Sequence, residues 1–136
     1  MHSDAVVYPP MSKERLKERG YNQAELLAKE FSILTGIHVP DDVLVKNRET
    51  PRQATLNAAD RRKNLQGSFG LQNANLIKSK NVLIIDDVMT TGATAEILAG
   101  LLVKNGAKRV DVLTVSSVFY DLSASHSGVT AVKARP

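Results

Sequence analysis

The sequence predicts an α/β domain with a mainly parallel central sheet, flanked by helices and carrying one polar excursion. Val82, Leu83, Ile84 and Ile85 form a continuous apolar run, the pattern of a strand buried on both faces of a parallel sheet. Ala95, Ile97, Leu98, Leu101 and Leu102 then mark one face of a helix expected from about Gly92 to Lys104. A further strand-like stretch, Val110 to Val118, completes a strand, helix, strand unit with short crossovers.

The elements before that unit are read from local signals. Ala5 to Tyr8 is a short β-prone run stopped by Pro9-Pro10, whose missing amide donors end a central strand. Met11 to Tyr21 alternates charge and is expected to be a loop, part of it a solvated helical turn. Asn22, with Glu25 three residues on, starts a helix whose apolar positions are Ala24, Leu27, Ala28, Phe31 and Leu34. Gly36 ends it, and Val43 to Val45 reads as a second short strand. From Lys46 to Phe69 the periodicity fails and polar residues dominate. A stretch so long is unusual in a compact domain unless it is a functional excursion, so a β-ribbon or hood with a helix near Ala58 to Asn64 is expected. Beyond Phe119 only Val129 to Val132 has strand character. The whole chain is read as one domain, with its core at about 5–118 and a tail of uncertain order at 119–136.

Composition narrows the function classes. At 136 residues with 43% hydrophobic and 24% charged positions, the chain is an ordinary soluble domain. With no cysteine there is no disulfide, thiolate metal ligand or Cys nucleophile. No apolar run approaches the roughly 20 residues needed to span a bilayer, and no secretory signal is evident, so a cytoplasmic protein without membrane insertion is expected. A formal charge of +4 suits anionic partners, phosphorylated small molecules and nucleic acid alike.

The chemistry is carried by Asp86-Asp87-Val88-Met89-Thr90-Thr91-Gly92-Ala93-Thr94. In open parallel sheets ligands sit beyond the carboxyl ends of the strands, where the apolar run delivers Asp86 and Asp87. Two adjacent carboxylates there suit a polyhydroxyl ligand, a hydrated Mg²⁺, or both. The threonines and backbone amides that follow lie where a helix begins, a position whose unpaired N–H groups and dipole hold phosphate without a lysine. Gly92 permits close approach of the backbone. A bare strand-to-helix turn with a cap is the competing structural reading. Nucleotide-triphosphate and dinucleotide loops are absent, because no Gly-x-x-x-x-Gly-Lys or strand-borne Gly-x-Gly-x-x-Gly occurs.

Four apolar residues, two acids and Thr-Thr-Gly-x-Thr over thirteen consecutive positions resemble the phosphoribosyl-pyrophosphate signature of the type I phosphoribosyltransferases. Residues 10–23, with Arg19-Gly20-Tyr21-Asn22-Gln23, and the later Arg48, Thr50, Gln53, Leu56, Arg61, Asn64 and Phe69 resemble the ComF-type competence branch of that superfamily. The resemblance implies the type I phosphoribosyltransferase-like fold, with 5-phosphoribosyl-1-pyrophosphate as ligand and Mg²⁺ held mainly through it. Asp86 and Asp87 would serve the ribose and the metal, and residues 88–94 the phosphate. Arg15 and Arg19, with Lys13 as a weaker candidate, would face the pyrophosphate. Members commonly carry an N-terminal four-cysteine zinc module, and without cysteine no zinc is carried over.

Transfer of the phosphoribosyl group to an unknown acceptor is the first functional expectation. A competence or DNA-uptake accessory protein, binding single-stranded DNA or a helicase partner without turnover, is the second, and a donor sensor the third. A homodimer is compatible with either. Tyr21 is expected to pack its ring on the core rather than stack on a base. His38 is read as a surface-loop residue and not a catalytic base.

Overall fold

The structure is a computed structural model that describes residues 2–47, 57–87, 93–114 and 129–133. Strand β1 (Ala5–Val7) is buried throughout and stops before Pro9-Pro10. The charged loop after it is more ordered than its sequence suggests. Ser12 caps a seven-residue helix, α1 (Lys13–Arg19), by accepting from the Arg15 N–H at 3.2 Å, and Gly20 closes it in the left-handed region at φ 82°. None of α1's residues is buried, so its amphipathic signal is absent and only its caps mark it.

Helix α2 (Gln23–Thr35) begins at Asn22 and ends at Gly36, whose φ of 77° suits a residue without Cβ. Ala24 and Ala28 are buried, with Leu27 and Phe31 packed nearby, whereas Leu34 is 77% exposed. At about 100° per residue Leu34 lies only some 20° around the helix from the packed Leu27, so it stays on that side of α2 but falls in the last turn before Gly36. Tyr21 is also 47% exposed, contrary to the expected core packing. The Gly20 turn places it outside the apolar stripe that α2 turns inward.

Strand β2 (Leu44–Lys46) and strand β3 (Phe69–Leu71) form a separate antiparallel ribbon, with Leu44 opposite Leu71 and Lys46 opposite Phe69. Between them α3 (Ala58–Gly67) starts at Asn57, whose side chain accepts from Asp60 N–H at 2.8 Å. The excursion is thus a ribbon with a helix, as its polarity suggested; residues 48–56 lie outside the described residues. A short 3₁₀ turn at Ala74–Leu76, which no sequence signal announced, leads into the central strand.

Strand β4 (Asn81–Asp86) is flanked in parallel by β1 and by β5 (Arg109–Thr114), and β6 (Val129–Lys133) adds to β5, giving the order β1-β4-β5-β6. Val82 through Ile85 are each at most 2% exposed. Burial of each such side chain contributes roughly 1.5–3 kcal/mol. Residues 115–118 of the expected strand lie outside the described residues, while the tail's strand character at 129–132 corresponds to β6.

The sheet separates two apolar layers. Val6, Leu83 and Ile85 pack with Ala28, Leu27 and Phe31 of α2. Val82, Ile84, Val110 and Val112 pack with Ala95, Leu98 and Leu102 of α4 (Ala93–Lys104), together with Val43, Leu44 and Phe69 of the ribbon. Glu96 in the first turn of α4 and Lys104 in its last complement the helix dipole.

Candidate functional site

The chain leaves β1 and β4 in opposite directions. From β1 it passes through α2 and returns to the far edge of that strand, where Val6 N–H donates to the His38 carbonyl at 2.9 Å and Ala5 bridges His38 in parallel. From β4 it passes through α4, on the other face, to β5. Such a divergence opens a crevice at the carboxyl ends of the two strands, the place where open α/β sheets bind ligands. His38, exposed as expected, serves the fold through its backbone.

Asp86 and Asp87 stand at that crevice, both half-buried. Asp86 ends β4 opposite Thr114 of β5, and its Oδ1 accepts from the Asp87 N–H at 2.8 Å. This bond fixes the Asp86 carboxyl group at the sheet edge. Residues 88–92, the remainder of the signature through Gly92, lie outside the described residues. Ala93 opens α4, and Thr94 follows half-buried in its first turn.

The opposite wall is the segment after β1. Asn22 Nδ2 donates to the Pro9 carbonyl at 3.0 Å while its Oδ1 accepts from Ala24 N–H at 3.1 Å. One buried side chain thereby starts α2 and anchors the crevice loop. Tyr8 hydroxyl donates to Glu25 Oε2 at 3.0 Å, and Glu25 also pairs with Lys29 at 3.3 Å. Burial, reinforced by the Glu25 carboxylate, pushes the Tyr8 phenol well above its usual range, so it remains a neutral donor. A shallow cleft beside it is lined by Val7, Tyr8, Pro40, Asp42, Val43 and Leu44.

Arg15 and Arg19 lie on α1, which follows that loop, and both are exposed. Lys13 is exposed at the start of the same helix. Arg61 and Arg62 fall on α3 and Lys63 is exposed there. Among the described residues no three His, Cys, Asp or Glu side chains gather as a metal cage. Two adjacent carboxylates fit Mg²⁺ in the way that ion is usually held, by one or two protein acids plus waters and substrate phosphates. No helix among the described residues is long and apolar enough to cross a membrane.

Two contributors were missed in the sequence. Asn22 reads there only as a cap, since its bond to Pro9 spans thirteen positions. Thr114 is signalled more plainly, as a polar residue in the inward series Val110, Val112, Thr114 of a buried strand.

Comparison with known proteins agrees with this architecture. The phosphoribosyl transferase domain matches residues 16–124, from within α1 to beyond β5. DNA utilization protein YhgH of Escherichia coli O157:H7 is 34% identical over 109 residues, covering 80% of this chain and 47% of that protein. Competence protein F of Haemophilus influenzae is 34% identical over 110 residues, covering 80% and 48%. The chain spans about half the length of the curated relatives it matches. Glutamine phosphoribosylpyrophosphate amidotransferase from B. subtilis superposes with a TM-score of 0.59 at 18% identity, over 96% of this chain and 32% of that one, a likeness of fold. Parallel sheet, diverging crossovers, twin acids and a family match over most of the chain lead to one assignment: the chain belongs to the phosphoribosyltransferase domain family, in its ComF-type competence branch.

Proposed function

We propose that the crevice between β1 and β4 binds 5-phosphoribosyl-1-pyrophosphate together with Mg²⁺, and that the domain transfers the phosphoribosyl group to an acceptor. The observation that carries this reading is the position of Asp86 and Asp87: Asp86 ends β4, whose residues Val82 to Ile85 are buried, Asp87 follows it at the switch point, and α4 begins at Ala93. In this reading the two carboxylates accept hydrogen bonds from the ribose hydroxyls, and residues 90–94 present amides and hydroxyls to the 5-phosphate. Each hydrogen bond to that charge contributes about 1.5–3 kcal/mol. Arg15 and Arg19 draw the pyrophosphate toward the crevice.

Departure of pyrophosphate from ribose C1 passes through a cationic, oxocarbenium-like transition state. Mg²⁺, held by Asp86 and Asp87 and by the ligand's own phosphates, would neutralise the leaving charge. The protein then has little proton transfer to perform, and positioning and electrostatic stabilisation supply most of the rate enhancement. Calorimetric titration with the donor tests the reading. Saturable, Mg²⁺-dependent binding is expected, weakened at least about tenfold in the Asp86→Asn, Asp87→Asn double variant, the equivalent of losing one such hydrogen bond. Absence of saturable binding by the folded protein overturns it.

The names of the relatives favour a second reading, in which the domain serves DNA uptake by holding single-stranded DNA or a helicase partner. The basic residues Arg61, Arg62 and Lys63 on α3 are its candidates. Fluorescence anisotropy between about 50 and 200 mM salt separates the two, since phosphate contacts lose affinity steeply over that range. This reading expects Arg61→Ala with Arg62→Ala to lower both affinity and salt slope; no binding at low salt counts against its DNA-holding form.

A further inference from the structure

Thr114 is completely buried, and its Oγ1 has no hydrogen-bond partner among the described residues. A hydroxyl removed from water without a partner costs free energy. Valine has nearly the same shape and no such cost, and β5 uses it at the two preceding inward positions, Val110 and Val112. An unpaired buried group in an otherwise well-satisfied strand calls for a state in which it is paired.

Its neighbour across the sheet identifies that state. Thr114 is the register partner of Asp86. The residues before each of them on that face, Ile84 and Val112, belong to the single apolar layer under α4. Side chains alternate along a strand, so Asp86 and Thr114 continue this face to the carboxyl edge, beneath the first turn of the helix. Adjacent strands lie about 4.7–4.9 Å apart. Rotation of the threonine side chain at that spacing is enough to bring its hydroxyl to the carboxylate.

We infer that Thr114 is a positioning residue of the crevice, donating a hydrogen bond that fixes the Asp86 carboxylate when the ribose of the donor is bound. The inference rests on the donor reading given above. It also gives a reason for a threonine rather than a valine at this position: the cost of burying the hydroxyl is offset by the bond it makes on binding.

The test compares wild type, Thr114→Val and Thr114→Ser by calorimetric titration with 5-phosphoribosyl-1-pyrophosphate and Mg²⁺, with inorganic pyrophosphate as a ligand that lacks ribose. Thr114→Val is expected to bind the donor about ten- to a hundredfold more weakly, the loss of one charge-assisted hydrogen bond. Thr114→Ser should restore affinity to within about twofold, and pyrophosphate binding should be the same in all three. In an Asp86→Ala background, which leaves no side-chain oxygen to accept, Thr114→Val should add no further loss, because the two act as a unit. The melting temperature of Thr114→Val should equal or exceed that of wild type. Equal donor affinity in wild type and Thr114→Val overturns the inference while leaving the donor reading intact. Failure of wild type to bind the donor overturns both. Parallel losses of donor binding, pyrophosphate binding and melting temperature show a merely structural threonine. Should Thr114→Val fail to fold, the serine variant and Thr114→Ala carry the same comparison.

Discussion

The Asn22 side chain joins two elements at once: its Nδ2 donates to the Pro9 carbonyl at 3.0 Å, and its Oδ1 caps α2 through Ala24 N–H at 3.1 Å. Pro9 lies in the loop that forms one wall of the crevice, so the start of α2 and the shape of the site depend on a single amide. Asn22→Ala loses both bonds and should destabilise the domain by about 1–3 kcal/mol. Asn22→Asp keeps the cap but cannot donate to Pro9, and should cost less while still loosening the loop. Urea denaturation of the three proteins checks the order.

Tyr8 gives a pH prediction with a definite sign. Its folded pKa is raised above the ordinary 10.0, first by burial and then by the Glu25 carboxylate that accepts its hydrogen bond. The fold favours the neutral phenol, so this contribution is fully present below about pH 10 and is lost as the pH rises beyond it. Stability of the wild type should therefore fall in alkali. The slope should be shallower than the full ~1.4 kcal/mol per pH unit because Tyr8 is partly exposed. Tyr8→Phe should show a flatter curve over the same range and lose about 0.5–1.5 kcal/mol near neutrality. Denaturation midpoints measured from pH 7 to 11 compare the two.

Gly106 closes α4 at φ 107°, and a Cβ there would meet Lys78 Cγ at 3.3 Å. Its carbonyl also accepts from Ser79 N–H at 2.8 Å, tying the end of α4 to the turn before β4. Gly106→Ala should destabilise by about 1–3 kcal/mol, since the alanine must hold a backbone conformation rare for residues with a side chain. Thermal unfolding detects the shift. Donor affinity should be unchanged, because this turn lies at the opposite edge of the sheet from Asp86.

Neutralising the acids should separate function from folding. Asp86 Oδ1 accepts from the Asp87 amide, and an asparagine oxygen can do the same. Asp86→Asn should therefore shift stability by less than about 1 kcal/mol while lowering donor affinity about tenfold or more. Asp86→Ala, which also loses the bond to the Asp87 amide, should cost more stability. Paired melting curves and titrations distinguish the three proteins.

These contrasts also mark where sequence was informative. The buried run at residues 82–85 has one physical interpretation, a strand covered on both faces, and β4 is that strand. The cap residues Asn22 and Gly36 set both ends of α2 because capping is local chemistry. Helix α1 was harder to read: it buries nothing, so periodicity carries no information about it. Leu34 was read into the apolar spacing of α2 and Tyr21 was expected to pack on the core, yet both are exposed. The acids and their strand were legible together, as spacing within one continuous segment. The bridge from β1 to His38, which creates the switch point, and the pairing of Thr114 with Asp86 were not, because each joins residues distant in the chain.

A crystal structure of the protein with 5-phosphoribosyl-1-pyrophosphate and Mg²⁺ tests the central claim most directly. The account predicts the 5-phosphate against the start of α4, near Thr94, with the ribose hydroxyls on Asp86 and Asp87. Ligand density elsewhere on the molecule, or both carboxylates turned away from the sugar, would contradict it.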